Sequence, residues 1–478
     1  MASKIALNIK NLMALGTQRL AELLVELSTA NPAAKRRIRL ELAGAESPEE
    51  VSKEVRKRLS TIARSRSFVD WQNRKTLVED LGTQRRAIVE QLAKADPAEA
   101  LELMWRFLSI ANTVFERCDD SSGTVISIFH GACRDLGEIA RTAKAASETL
   151  AGRAFGALCE NDYGQYDELI RVLSPALGPT GLDNLKKRFI ELSKAPAEKP
   201  KVKDRKVIGW GSGGPLYADE IAANRRDSTI RLALQEIADA QGDVDAFIAQ
   251  QSEKAKTVPR VAAEIAQRLL RAGRASEAWS AINAVDEKRP GWIPFEWEQA
   301  RLNVMEALGR NNEAQEFRWQ CFERTLSITH LRAYLKRLPD FEDLEAERRA
   351  MSYALKHSSV NQALAFLVSW PALDKAAALV AQRSTELNGD HYEILSPAAD
   401  ALTAKYPLAA TLLLRAMIDF TLKKGRASRY RHAARHLAEC ASLVSAIDDF
   451  GAVKPHEEYS NRLKQEHGRK TAFWALVS

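Results

Sequence analysis

His432, His436 and Cys440 stand four residues apart, so on a helix their side chains leave from one face, at the spacing that lets two of them share a metal ion. A zinc site needs further ligands from elsewhere in the chain, and Arg429, Arg431 and Arg435 around this trio repel a cation. The simpler reading is a partly buried helix face, and no metal is expected. The same segment offers a second chemistry. Between Lys423 and Arg435 lie six basic residues, Lys423, Lys424, Arg426, Arg429, Arg431 and Arg435, and no acid, with Tyr430 among them. Cations in such a run grip phosphate or carboxylate, and an exposed ring beside them can stack on a base. A solvated helix end is the commoner use of such a run. These seven residues are the candidate binding surface.

Two other motifs dissolve on inspection. Gly209-Trp210-Gly211-Ser212-Gly213-Gly214 has the glycine spacing of a dinucleotide loop. Such a loop needs an apolar strand before it and a helix after it, and Lys203 to Ile208 is too charged for that strand. Asp119-Asp120-Ser121-Ser122-Gly123 resembles a calcium loop, but its first and twelfth positions would be Cys118 and Phe129, which do not ligate calcium. Here the reading is a helix that stops near Asp119 and a polar side chain, Asp120 or Ser122, that caps the next. A second basic stretch, with Arg56, Lys57, Arg58 and Arg64, alternates with Glu54, Val55, Leu59 and Ile62, as the wet side of an amphipathic helix does. Eight histidines, scattered along the chain, assemble no nucleophile with a base, no paired acids and no metal set. The sequence predicts no enzyme and no cofactor.

What positions these residues is helix. Leu101, Met104, Trp105, Leu108 and Phe115 recur at steps of three, four and seven, and Ile5, Ile9 and Leu12, then Leu20, Leu23 and Leu27, show the same rhythm. Ser47-Pro48-Glu49-Glu50 and Asp96-Pro97-Ala98-Glu99 read as helix starts, with a capping oxygen and proline in the first turn. No segment alternates convincingly with a period of two, which leaves little room for a sheet. Glycines 242, 273 and 309 are 31 and 36 residues apart. Each closes an amphipathic segment and is followed by an acid and then alanine, close to the roughly 34-residue period of helix-turn-helix repeats. The spacing predicts antiparallel helix pairs at 221–252, 258–284 and 293–325, with Ala246, Ala278 and Ala314 at close contacts. Between Lys194 and Pro215 the chain turns rich in proline, lysine and glycine, the composition of an exposed linker in which Trp210 is an anchor for docking on a helix. The expected organisation is a helical N-terminal region at 1–194, a linker at 195–216, and a TPR-like region at 217–478. The fold class is all-α, helical-hairpin repeats of the α-solenoid kind.

Three stretches carry a family likeness: Arg64-Ser65-Arg66-Ser67-Phe68-Val69-Asp70-Trp71, Phe115 to Gly123, and Tyr406-Pro407-Leu408-Ala409-Ala410 followed by Ser428 to Arg435. Together they resemble an uncharacterised bacterial helical-repeat family, and more distantly the helical region that follows the zinc module in SWIM zinc-finger proteins. The C-x-C and C-x-H pairs of that module are missing here, so neither its zinc nor its nucleic-acid role carries over. The resemblance implies a mostly helical cytoplasmic protein of no established activity.

The formal charge is +7, from 70 Lys and Arg against 63 Asp and Glu, mild enough to permit an anionic partner without requiring one. Five cysteines without a C-x-x-C pair point to a reducing compartment. No apolar run approaches the ~18 residues of a membrane span. These features predict a cytoplasmic scaffold whose stacked hairpins hold a protein or peptide. A nucleic-acid binder that uses the basic helix faces is the alternative.

Overall fold

A computed structural model describes residues 7–29, 31–196, 205–211, 213–285 and 293–477. The chain divides into two compact units, Met1–Ala255 and Lys256–Ser478. In the first, the principal helices are α1 (Thr17–Thr29), α2 (Pro32–Glu46), α3 (Pro48–Arg64), α4 (Arg74–Ala87), α5 (Pro97–Ser109), α6 (Thr124–Thr142), α7 (Ser147–Cys159), α8 (Leu169–Lys194), α9 (Ala218–Gln241) and α10 (Val244–Ala249). Their starts are set locally. The Ser47 hydroxyl accepts from the Glu50 amide at 3.3 Å and Asp96 from that of Glu99 at 3.0 Å, as their sequence pattern requires. Asp120 caps α6, its two oxygens taking the amides of Val125 at 2.9 Å and Ile126 at 2.8 Å. The acidic loop is thus a helix cap, as read from its residues. Phe107, Phe129 and Phe189 are fully buried in this unit's core, with α8 packed against α6, α7 and α9.

That packing moves the division of the chain. α8 precedes the expected linker and α9 follows it, yet they lie side by side, so the first unit runs on to Ala255. Part of the linker also has regular structure. Strands β1 (Val207–Gly211) and β2 (Gly214–Tyr217) pair antiparallel, a two-stranded exception to the helical rule. Arg205 pins the hairpin by stacking over Tyr217 at 3.8 Å while it pairs with Asp219 and Glu220. Trp210 is 79% exposed and is buried against no helix among the described residues. Residues 197–204 and 212 of the expected linker lie outside the described residues.

The second unit contains α11 (Pro259–Arg271), α12 (Ala275–Asn283), α13 (Phe295–Ala307), α14 (Asn311–Thr325), α15 (Ile328–Leu335), α16 (Glu342–Lys356), α17 (Val360–Ser369), α18 (Leu373–Arg383), α19 (Tyr392–Thr403), α20 (Pro407–Lys423), α21 (Tyr430–Leu443) and α22 (His456–His467). Most of these helices pack on the next in sequence, and several on the next but one, the neighbour-only pattern of a helical solenoid.

The glycine turns form as predicted. Gly242, Gly273 and Gly309 have φ of 69°, 74° and 72°, and the amide after each reaches back to Ala238, Leu269 and Met305 at 2.9, 2.8 and 2.9 Å. This is the left-handed helix stop that reverses the chain. Ala278 and Ala314 are fully buried. Ala246 is only half-buried, because α10 is short and turns Phe247 inward instead. Nothing crowds the place of a Cβ on Gly273, so Gly273→Ala is expected to cost about 1 kcal/mol through its left-handed φ alone, read as a lower urea midpoint with unchanged slope.

Candidate functional site

The C-terminal basic segment is the turn between α20 and α21. α20 buries Leu413, Leu414, Met417, Ile418 and Leu422, and it stops because Gly425 takes φ 63° and the Arg426 amide bonds back to Thr421 at 3.0 Å. α21 then buries Ala433, Ala434, His436, Leu437 and Cys440. These apolar faces leave the charged heads outside. Lys423, Lys424, Arg426 and Arg431 are exposed, and none has a carboxylate within 4 Å among the described residues. The Lys470 amine joins them, 3.8 Å from where a Cβ on Gly425 would stand.

The remaining candidates have other duties. Arg429 is captured by Asp390 at 2.7 Å and lies over the Tyr392 ring at 4.7 Å. Arg435 reaches Glu439 at 3.3 Å on its own helix. Tyr430 is not a stacking platform: it is buried, edge-on to Phe473 at 5.8 Å. As the first residue of α21 it faces the core, which the basic neighbours conceal in the sequence. The histidine trio splits the same way. His432 is exposed, His436 is buried and bonds Glu439 at 3.0 Å, and Cys440 is buried with its thiol pushed up to about 12 by desolvation. The three do not converge on one point.

Beside this turn is a cavity of about 230 Å³ lined by Tyr392, Met417, Arg429, His432, Arg435 and His436, among others. Its wall is mostly apolar and its edge is cationic. The volume falls below the ~300 Å³ at which small-molecule sites begin, and it suits a single side chain. Gly389 also borders it, and a Cβ there would overlap the backbone carbonyl of Ala416. Only glycine lets the segment before α19 lie this close to α20. Gly389→Ala is expected to cost about 1–3 kcal/mol as α20 is forced aside, seen as a fall in thermal midpoint.

Sequence reasoning missed one cluster. Glu298 of α13, Cys321 of α14 and His330 of α15 are buried with ligand-type atoms all within 4.8 Å of one another. His330 Nε2 meets Glu298 Oε2 at 2.7 Å, and the Arg324 guanidinium pairs with the other oxygen of Glu298. Burial pushes the Cys321 thiol up to about 12, so it is protonated at neutral pH. Arg324 already supplies the positive charge that this carboxylate requires, which makes the cluster an internal ion pair rather than a good cation site. No periodicity reveals it, since its members come from three helices.

The second basic stretch is paired throughout its middle. Arg56 binds Glu99, Arg58 binds Asp80, and Lys57 lies 4.0 Å from Glu54.

Comparison with known proteins gives a family and little more. The model of a family of unknown function, DUF6880, matches residues 2–476, and the chain belongs to that family. Among curated proteins there is no match. A solved structure titled "Circular tandem repeat protein with novel repeat topology and enhanced subunit contact surfaces" is 15% identical over 98% of each chain, with a TM-score of 0.17. At that score the likeness carries no argument.

Proposed function

We propose that this member of the DUF6880 family is a non-enzymatic helical-repeat scaffold that binds a protein partner through an acidic segment. The observation that carries this reading is the α20–α21 turn. Four exposed cations without a carboxylate partner among the described residues stand beside a one-side-chain apolar cavity edged by Arg429 and Arg435. An acidic peptide with one apolar residue matches both features, its carboxylates meeting the lysines and arginines while the apolar group fills the cavity. No helix among the described residues is long and apolar enough to cross a membrane. All five cysteines are free, which fits the reducing compartment of the cytoplasm.

The test is fluorescence anisotropy with a labelled peptide of Asp and Glu around a single Leu, beside single-stranded and duplex oligonucleotides, at several salt concentrations. Arg431→Gln with Arg435→Gln is expected to weaken peptide binding about tenfold and to change stability by less than about 0.5 kcal/mol, since both side chains are exposed and only Arg435 has an ion-pair partner, on its own helix. Oligonucleotides that bind as tightly as the peptide, with a salt slope that falls by about 0.7–0.9 per removed arginine, would transfer the surface to nucleic acid.

A further inference from the structure

Arg415 of α20 is 5% exposed, and no carboxylate lies within 4 Å of it among the described residues. Its Nη1 donates to the Lys454 carbonyl at 2.7 Å, and its guanidinium lies over the Tyr459 ring at 4.3 Å. Nε and Nη2 are buried and have no hydrogen-bond partner among the described residues. The acid one turn further along α20, Asp419, is already committed. Its oxygens accept from Arg462 at 2.9 and 3.0 Å and from the Tyr459 hydroxyl at 3.1 Å. Arg462 also meets Glu466 at 3.1 Å, so both carboxylates are engaged by Arg462 and neither forms an ion pair with the buried Arg415. Burying an unpaired charge and two unmet donors is costly, and folds rarely leave such groups unsatisfied.

The surroundings supply more donors. Thr411, one turn before Arg415 on the same helix, is 1% exposed, and its hydroxyl has no partner among the described residues. His456 keeps a buried Nδ1 with no partner among the described residues, while its Nε2 meets the Ser460 hydroxyl at 3.2 Å. When Ser460 donates to Nε2, Nδ1 carries the proton and becomes a donor as well. His456 is also the first residue of α22, and the carbonyl that holds Arg415 belongs to Lys454, just ahead of that helix. The first amides of α22 lack acceptors within their own helix, and Pro455 offers no side-chain cap. A helix start favours negative charge for this reason. Desolvation, then the nearby Arg415, depress the His456 pKa, so the imidazole is neutral and the charge to be met is that of Arg415 alone.

We propose that Arg415, Thr411, His456 and the leading amides of α22 form an internal site for a small monovalent anion of the chloride class. A set made of donors requires an acceptor, and the guanidinium of Arg415, which has no ion-pair partner among the described residues, favours one that carries negative charge. The burial of Arg415 and Thr411 favours a free ion over a carboxylate delivered by a partner. Such an ion ties α20 to α22 at the C-terminal end of the repeats and so acts as a structural ligand, separate from the peptide surface at the α20–α21 turn.

The experiment is thermal unfolding of the full chain in sodium chloride mixed with sodium gluconate at constant ionic strength. A saturable rise in midpoint with chloride is expected, of about 3 °C at saturation. Arg415→Met and Thr411→Val should each flatten that rise. If Arg415→Met does not fold, Thr411→Val and His456→Ala carry the same reading. In a bromide-soaked crystal an anomalous peak should lie within hydrogen-bonding reach of Arg415 Nη2. A midpoint indifferent to chloride overturns the site, as does a chloride response that survives both Arg415→Met and Thr411→Val. Stabilisation by an acidic peptide but not by chloride would assign these donors to a partner's carboxylate and overturn the ion.

Discussion

Glu306→Ala is expected to lower the stability of the chain by about 3 kcal/mol or more. Arg318, on α14, is 2% exposed and pairs with Glu306 of α13. The same carboxylate oxygen accepts from Arg337 at 2.8 Å, and among the described residues Arg318 has one other side-chain acceptor, Gln315 at 3.1 Å. Desolvation already presses on this guanidinium, whose pKa falls below its ordinary value through burial. Removing the carboxylate strands a charge that cannot reach water, a greater loss than the pair's own net worth. The check is urea unfolding of the single variant and of the double variant Glu306→Leu with Arg318→Met. The double variant should recover most of the loss, because a buried ion pair and an apolar pair of similar size are often close in stability. A single-variant loss under about 1 kcal/mol would show that Gln315 suffices for Arg318.

The second large effect runs the other way, with Glu236→Gln stabilising the protein near neutral pH. Glu236 lies in α9 with Oε2 buried and unpartnered among the described residues. Its carboxyl is raised from the ordinary 4.5 to about 7, first by burial and then by Asp167, Asp239 and Glu168, with Arg171 opposing. A folded-state pKa above the unfolded value means that the native protein holds the proton more tightly. Stability is therefore full below about pH 4.5, declines as pH rises through the window up to about 7, and levels off above it. Glutamine keeps the shape and removes the titration. The variant should match the wild type near pH 4.5 and exceed it by about 2–3 kcal/mol at pH 8. Urea midpoints taken across that range decide the matter, and a gap that does not change with pH would mean that Glu236 ionises outside the window.

Much of this architecture is legible in the sequence because its causes are local. A serine or aspartate three residues ahead of an amide caps a helix wherever that helix lies, as Ser47 and Asp96 do, and Asp120 does the same from five and six residues ahead. Glycine takes a left-handed φ more cheaply than other residues, so Gly242, Gly273 and Gly309 mark their turns in advance. Helical periodicity likewise assigns which faces of α20 and α21 are apolar, and it leaves Lys423, Lys424, Arg426 and Arg431 on the wet side.

Which polar groups meet across those faces was beyond the reach of sequence, since each meeting depends on how helices far apart in the chain stack. Tyr430 loses its apparent availability to Phe473, and Arg429 is taken by Asp390. Glu298, Cys321 and His330 are drawn together from three successive helices, and Arg415 meets its carbonyl 39 residues on, at Lys454. The expected linker shows the same limit. Its composition is that of an exposed connection, but the packing of α9 on α8 carries the compact unit past it to Ala255. Caps and turns close within a few residues and are written in those residues; partners, charge balance and unit boundaries follow from long-range contact, which only the folded chain decides.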